Sequence, residues 1–412
     1  MKNKNYLFIF FIIIILAFMT FVFCTSCNMN FNNTLNSKNT QTNNTNVTES
    51  SAIIPSSSTT SKSDDAQNQN NTNFNNSNLL NFRGIDFYPY PIPYSNKDCL
   101  QSLSELLNIK EINYIQIRFF IYQSKINSNE ITMDESQDQY LINLINLIHK
   151  NGKKVSLMPH LIVDNDKVWS GYIKPTNEKL WFQSYTDAIL HYAKIADDEN
   201  VELFPIANEL VSISGNNAEW KAVIKAVRNV YKGKITAKIN RWYQESQFQD
   251  ILKMDWLGDL DYIGIAAYFD LTQKPNPTLE ELKNSWENNR QGLNIVQELE
   301  AISNKFNKNI IFLEIGYRSI LGANIEPWSY GTKIPNVNNT NSSTSNKSGQ
   351  QEQANATQAL FDVFNDKSWF DGVFWFYWPT KITYDPNNDT SWSIPGKTVE
   401  KIILENFQKA RN

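Results

Sequence analysis

Cysteine is almost absent from this chain of 412 residues: there are three, and two of them, Cys24 and Cys27, stand in the N-terminal segment. Only Cys99 lies beyond it, which excludes an internal disulfide framework and a Cys-X-X-Cys zinc site in the body of the chain. Histidine is equally scarce, at three, so a histidine cluster for a metal is missing too. Blocks of one charge are also missing. The formal net charge is −4, and without a basic patch nucleic acid is not an expected partner. No Gly-X-Gly-X-X-Gly follows the first predicted strand, which removes the usual dinucleotide cradle. Neither a metal nor a cofactor is expected.

What is present begins with a long apolar run. Lys2 and Lys4 precede Tyr6–Phe23, which carries no charge, in the order of a secretory signal. Cys24-Thr25-Ser26-Cys27 then sets a small residue before a cysteine, as in bacterial lipoprotein sites. Residues 1–27 therefore read as a lipoprotein-type signal segment with Cys27 as the lipidated residue, holding the protein on the extracellular face of the membrane. An uncleaved membrane anchor and a plain secreted form stay open, and all three face outward. Residues 28–79 are dominated by Asn, Ser and Thr. Their apolar content is too low to offset the entropy of ordering, so a flexible, disordered tether is expected.

From residue 80 to 412 the pattern changes to short apolar runs alternating with helical periodicity, the signature of βα units. Eight strands are predicted: Phe82–Tyr90, Tyr114–Tyr122, Lys154–Val163, Glu202–Leu210, Lys234–Asn240, Tyr262–Phe269, Asn309–Tyr317 and Gly372–Pro379. Helical spacing falls between them, at Asp134–Lys150, Glu178–Asp197 and Ala218–Tyr231, and a last helix runs from Thr398 to Lys409. Eight such units in one stretch of this length predict a single (β/α)8 barrel of the TIM type. After the seventh strand, residues 331–353 return to Asn, Ser, Thr and Lys, which predicts a mobile low-complexity insertion in a βα loop.

Barrels of this type carry their chemistry at the C-terminal ends of the strands. The fourth strand runs Phe204-Pro205-Ile206-Ala207-Asn208-Glu209, and the seventh runs Ile311-Phe312-Leu313-Glu314. Each brings a carboxylate to the end of an apolar run, where lost hydration is costly and calls for a reason. Two carboxylates across a cleft are what glycoside hydrolysis requires.

At this point the residues carry a resemblance. Asn208-Glu209 with Glu314 resembles clan A of the glycoside hydrolases, which implies that Glu209 is the acid/base, Glu314 the nucleophile, and the outcome retention. Met158-Pro159-His160, Trp169–Pro175, Ile263–Tyr268, Glu314–Ser319, Glu326-Pro327-Trp328 and Gly372–Trp378 together resemble glycoside hydrolase family 113. They stand in the family's order and cover nearly the whole barrel. Characterised members are endo-β-mannanases, so the resemblance implies a β-1,4-mannan substrate. The Asn-rich stretch after strand seven departs from the family pattern.

Other residues take supporting roles as expectations. The clan resemblance implies that Tyr268 hydrogen-bonds the nucleophile. Arg118, inside strand two, would keep Glu314 ionised. His160 and Asn208 are placed to meet sugar hydroxyls. Trp169, Trp375 and Trp378 offer flat faces for pyranose rings, although strand alternation turns only one of the last two inward. A polysaccharide is the expected partner. A glycosidase for another β-linked cell-wall glycan, and a surface glycan-binding lipoprotein without catalysis, are the alternatives; retention of both glutamates speaks against the second.

Overall fold

The computed structural model describes residues 80–331 and 342–409. The signal segment 1–27 with Cys27, and the tether 28–79, lie outside the described residues. Among those described, no helix is long and apolar enough to cross a membrane, and no group of His, Cys, Asp and Glu could hold a metal ion.

Eight strands form the barrel: β1 (Phe82–Tyr88), β2 (Tyr114–Gln123), β3 (Lys154–Val163), β4 (Leu203–Asn208), β5 (Lys234–Asn240), β6 (Ile263–Ala266), β7 (Ile310–Ile315) and β8 (Phe370–Pro379). Each pairs in parallel with its neighbour, and β1 pairs with both β2 and β8, so the sheet closes on itself. A two-residue strand, Thr132–Met133, adds antiparallel to β2. The helices are α1 (Cys99–Leu107), α2 (Asp138–Lys150), α3 (Glu178–Asp198), α4 (Asn217–Val230), α5 (Glu245–Ile251), α6 (Leu279–Ser285), α7 (Ile295–Phe306), α8 (Ser342–Phe364) and α9 (Thr398–Lys409). In α2 the buried face is Leu141, Leu144, Ile145 and Ile148, the spacing that one helical stripe requires. Asn177 caps α3 by accepting from the Leu180 backbone N–H, and Thr278 with Glu281 forms a capping box on α6.

The Asn-rich stretch requires a correction. Residues 332–341 lie outside the described residues, but α8 begins at Ser342 within the stretch predicted as a mobile insertion. Glu352 of α8 is fully buried and accepts from the backbone N–H groups of Asn276, Gly322 and Asn324. Gln353 donates to the Tyr317 carbonyl at 2.7 Å. Polar composition concealed a packed helix, because its buried polar groups are satisfied by loop backbone and not by apolar contact.

Inside the barrel, polarity changes along its axis. Near the strand starts, Phe82, Tyr114, Leu203, Ile311, Leu313 and Phe374 form a closed apolar plug. Gly84 makes room for it, since a Cβ there would stand 2.3 Å from the Phe374 ring. Above the plug, Gln116 donates to Asp86 and to the Leu313 carbonyl, and Ser156 donates to Gln116. Further along the strands Arg118, Lys238 and Glu314 bring charge into the interior. Those residues line the mouth.

Candidate active site

Glu209 follows the last residue of β4 and has a left-handed backbone, with φ at +54°. A side chain in that region costs roughly 1–2 kcal/mol. The strained turn is pinned by the Glu209 N–H donating to the Lys238 carbonyl at 2.8 Å. Such strain persists where surrounding structure over-determines it, commonly at functional sites. Glu314 lies within β7, where the register against β6 shifts between Ile265 and Ala266. That irregularity accompanies two consecutive residues lining the interior, Leu313 in the plug and Glu314 above it.

Three groups donate to the Glu314 carboxylate. Arg118 reaches Oε2 at 2.7 Å, Lys238 forms a close ion pair with the same oxygen, and the Tyr268 hydroxyl reaches Oε1 at 3.0 Å. Arg118 is also closely paired with Asp86 of β1 and lies 3.3 Å from His160 Nδ1. The Lys238 Nζ stands 3.4 Å from Glu209 Oε2, so one buried ammonium faces both glutamates. Burial alone would raise both carboxyls. At Glu314 it is outweighed by Lys238 and Arg118, through their charges and hydrogen bonds together, and the group is held down at about 2. At Glu209 burial prevails over the pull of Lys238, and the negative charge of Glu314 adds to it, so this carboxyl stays above its ordinary value. Burial followed by the Arg118 and Lys238 charges takes His160 down to about 3, leaving it neutral at pH 7. One carboxyl is thus pulled down and its neighbour pushed up, the divergence that separates nucleophile from acid in such pairs.

A sequence profile of Glycoside Hydrolase Family 113 matches residues 91–397. The chain belongs to glycoside hydrolase family 113. It is therefore a glycoside hydrolase on a (β/α)8 barrel. Among solved structures, its fold is similar to a GH113 β-1,4-mannanase, with a TM-score of 0.63, 21% identity, and coverage of 80% of this chain and 99% of that one. It is similar also to the GH113 β-mannanase AaManA from Alicyclobacillus acidocaldarius in complex with ManMIm, with a TM-score of 0.65, 22% identity and coverage of 81% and 98%. A GH5_18 protein from Streptomyces cattleya in complex with Manb1-4GlcNAc is more distant, at a TM-score of 0.52, 9% identity and 80% coverage of each chain. No curated protein sequence matches significantly.

The family 113 barrel brings Arg118, His160, Glu209, Tyr268 and Glu314 into one network. Asn208 closes β4 beside it and donates to the Pro159 carbonyl at 3.1 Å. Trp169 stands on the loop after β3, part-exposed and edge-on to Tyr172. Gly171 permits that packing, since a Cβ there would lie 2.4 Å from the Trp169 ring.

Trp375 and Trp378 are corrected: neither faces the cleft. Trp375 is buried against Phe361 of α8, and Trp378 donates from Nε1 to Ser102 Oγ of α1 at 3.0 Å. Alternation breaks between them at Phe376–Tyr377, where the peptide bond is cis and the register against β1 shifts. Phe376 and Tyr377 accordingly both join Tyr268 and Trp392 at the mouth. Trp392 is itself buried in that cluster, against Tyr330 and Phe376, and its Nε1 donates to the Pro327 carbonyl. Beyond Glu209, Trp328 exposes its ring, donates to Asp270 at 3.1 Å and covers the Arg241 guanidinium at 4.9 Å.

Lys238 and Asp86 were not among the residues expected from sequence. The signal was available in Ile235-Thr236-Ala237-Lys238-Ile239 and Ile85-Asp86-Phe87, each a charge within a buried apolar strand. That is the same feature that marks Glu209 and Glu314.

Proposed function

We propose that the protein is a retaining endo-β-1,4-mannanase working by double displacement, with Glu314 as nucleophile and Glu209 as acid/base. The observation that carries this reading is the placement of two buried carboxyls beside one ammonium, with Glu314 pulled down by Lys238 and Arg118 and Glu209 pushed up by burial. Their nearer oxygens both lie within 3.4 Å of Lys238 Nζ. This supports the roughly 5–5.5 Å separation of retaining enzymes over the roughly 6.5–9.5 Å that inverting ones need for a water. Glu314 attacks the anomeric carbon while Glu209 protonates the departing glycosidic oxygen. Glu209, now a carboxylate, then takes a proton from water, whose oxygen attacks the anomeric carbon and releases Glu314. Tyr268 and Arg118 keep the nucleophile oriented. Neutral His160 and Asn208 meet sugar hydroxyls, and the part-exposed Trp169 and the exposed Trp328 offer faces for pyranose rings.

Mannan is the substrate that family membership favours, and the solved family 113 structures carry β-mannanase in their titles. The test is incubation with mannan, β-glucan and xylan, with reducing ends measured and the first-formed anomer followed by NMR. Release from mannan with the β-anomer first supports the reading. Release from another polymer alone would reassign the substrate, and an α-anomer first would reject retention.

The N-terminal segment supports a lipid anchor on the outer face of the membrane. Lipid labelling that Cys27→Ala abolishes would agree with that. Labelling unchanged in the variant would contradict it.

A further inference from the structure

Lys238 is a deeply buried cation at the mouth, with its side chain 1% exposed. It enters from β5, between the strands that carry the two glutamates, and its ammonium is the only group with an ion pair to both of them among the described residues. Resting on the double-displacement reading, we propose that Lys238 is a positioning residue that passes its ion pair from Glu314 to Glu209 when the glycosyl-enzyme forms, so that it serves deglycosylation more than glycosylation.

The argument is one of charge balance. Around Lys238 stand Asp86, Arg118 and His160 from β1 to β3, Glu209 after β4, Arg241 after β5, Tyr268 after β6 and Glu314 on β7. In the free enzyme Arg118 is paired with Asp86 and Glu314, Lys238 sits closest to Glu314, and on the double-displacement reading Glu209 holds the proton that it will donate. Glycosylation makes the bond from Glu314 to the anomeric carbon, breaks the glycosidic bond and moves the Glu209 proton to the leaving oxygen. Glu314 is then an uncharged ester and Glu209 an anion. The buried ammonium has lost its closer partner, and Glu209 is the carboxylate within reach. A buried cation without a partner is strongly disfavoured, which drives Glu209 to remain ionised as the base. When water attacks and the ester opens, the proton returns to Glu209 and the ion pair to Glu314. Arg118 does not substitute, because it is engaged by Asp86 and makes no ion pair with Glu209.

The experiment compares wild type with Lys238→Met and Lys238→Arg on an aryl β-mannobioside with a good leaving group. In this assay kcat reports deglycosylation and kcat/KM reports glycosylation. In Lys238→Met, kcat near pH 6 should fall about tenfold more than kcat/KM, recover as pH rises, and leave a burst of released phenol; a shift of one pH unit in its acid limb corresponds to that factor. Lys238→Arg, which keeps the charge, should retain the wild-type limb. Equal losses in kcat and kcat/KM with no shift in either limb would make Lys238 structural only and overturn the inference. Lys238→Met that does not fold, together with Lys238→Arg that folds and shows a moved limb, would overturn it as well. A wild type that forms no glycosyl-enzyme would overturn it together with the double-displacement reading. A wild type with a trapped intermediate and an indifferent Lys238→Met would overturn it alone.

Discussion

The two ends of the barrel interior are built from the same strands and are comparably buried, yet they differ in almost every other respect. At the strand starts, Phe82, Tyr114, Leu203, Ile311, Leu313 and Phe374 fill the space with apolar side chains. At the mouth, Asp86, Arg118, Lys238 and Glu314 are equally hidden and all ionisable. The plug gains from the removal of apolar surface from water. The mouth loses hydration and recovers it through ion pairs that roughly break even against apolar replacements of the same shape. Stability alone would favour a second plug. On the proposed reading the charged layer is accounted for by its opposite effects on the two carboxyls: it lowers Glu314 and leaves Glu209 raised.

The comparison makes predictions that fall in order of size. Glu314→Ala should remove turnover by on the order of 10⁴-fold or more, the scale lost with a covalent catalytic group. Added azide should restore product of inverted configuration, and wild-type rates in this variant would end the assignment. Glu209→Ala should cost about 10²–10⁴-fold on mannan. With activated aryl glycosides it should cost much less in kcat/KM, because a good leaving group needs no proton. An equal loss on both substrates would contradict its role as acid.

Arg118→Met tests the mouth by stability. It strands Asp86 and removes a partner of Glu314, so a loss of about 3–5 kcal/mol in denaturant unfolding is expected. Its pH dependence has a definite sign. Glu314 is held at about 2, below its ordinary 4.5. Its ionisation therefore contributes stability that is fully present above about 4.5 and is lost as pH falls toward 2. Without Arg118 the folded value rises, that contribution shrinks, and acid unfolding should begin at higher pH. Phe374→Ala, in the plug, should cost about 3–5 kcal/mol as well, but should leave the pH profile of activity where it was. A moved profile in Phe374→Ala would erase the distinction between the two ends.

Much of this was legible in the sequence, and the boundary falls along physical lines. The eight strands and the helices at α2, α3, α4 and α9 follow from periodicity, and the structure shifts most of their ends by no more than about two residues. Glu209 and Glu314 are visible because a charge that closes an apolar run gives up hydration, and a fold seldom bears that cost without a use for the charge. Asp86 and Lys238 carry a related signal in mid-strand, but which face they take depends on strand register. Trp375 and Trp378 show how far parity reaches: one register shift against β1 puts both on the outer face. Composition failed at 342–353, because a helix that satisfies loop backbone with Glu352 and Gln353 resembles a linker until its partners are known.

The central claim is that Glu314 becomes covalently bound to the sugar while Glu209 manages the proton. The most direct measurement is mass spectrometry of the intact enzyme after exposure to a 2-deoxy-2-fluoro-β-mannobiosyl fluoride, followed by peptide mapping. The account predicts one added glycosyl mass, on the peptide containing Glu314, lost in Glu314→Ala and retained in Glu209→Ala. A label on Glu209, or an enzyme that turns over mannan with no adduct and inverted product, would contradict it.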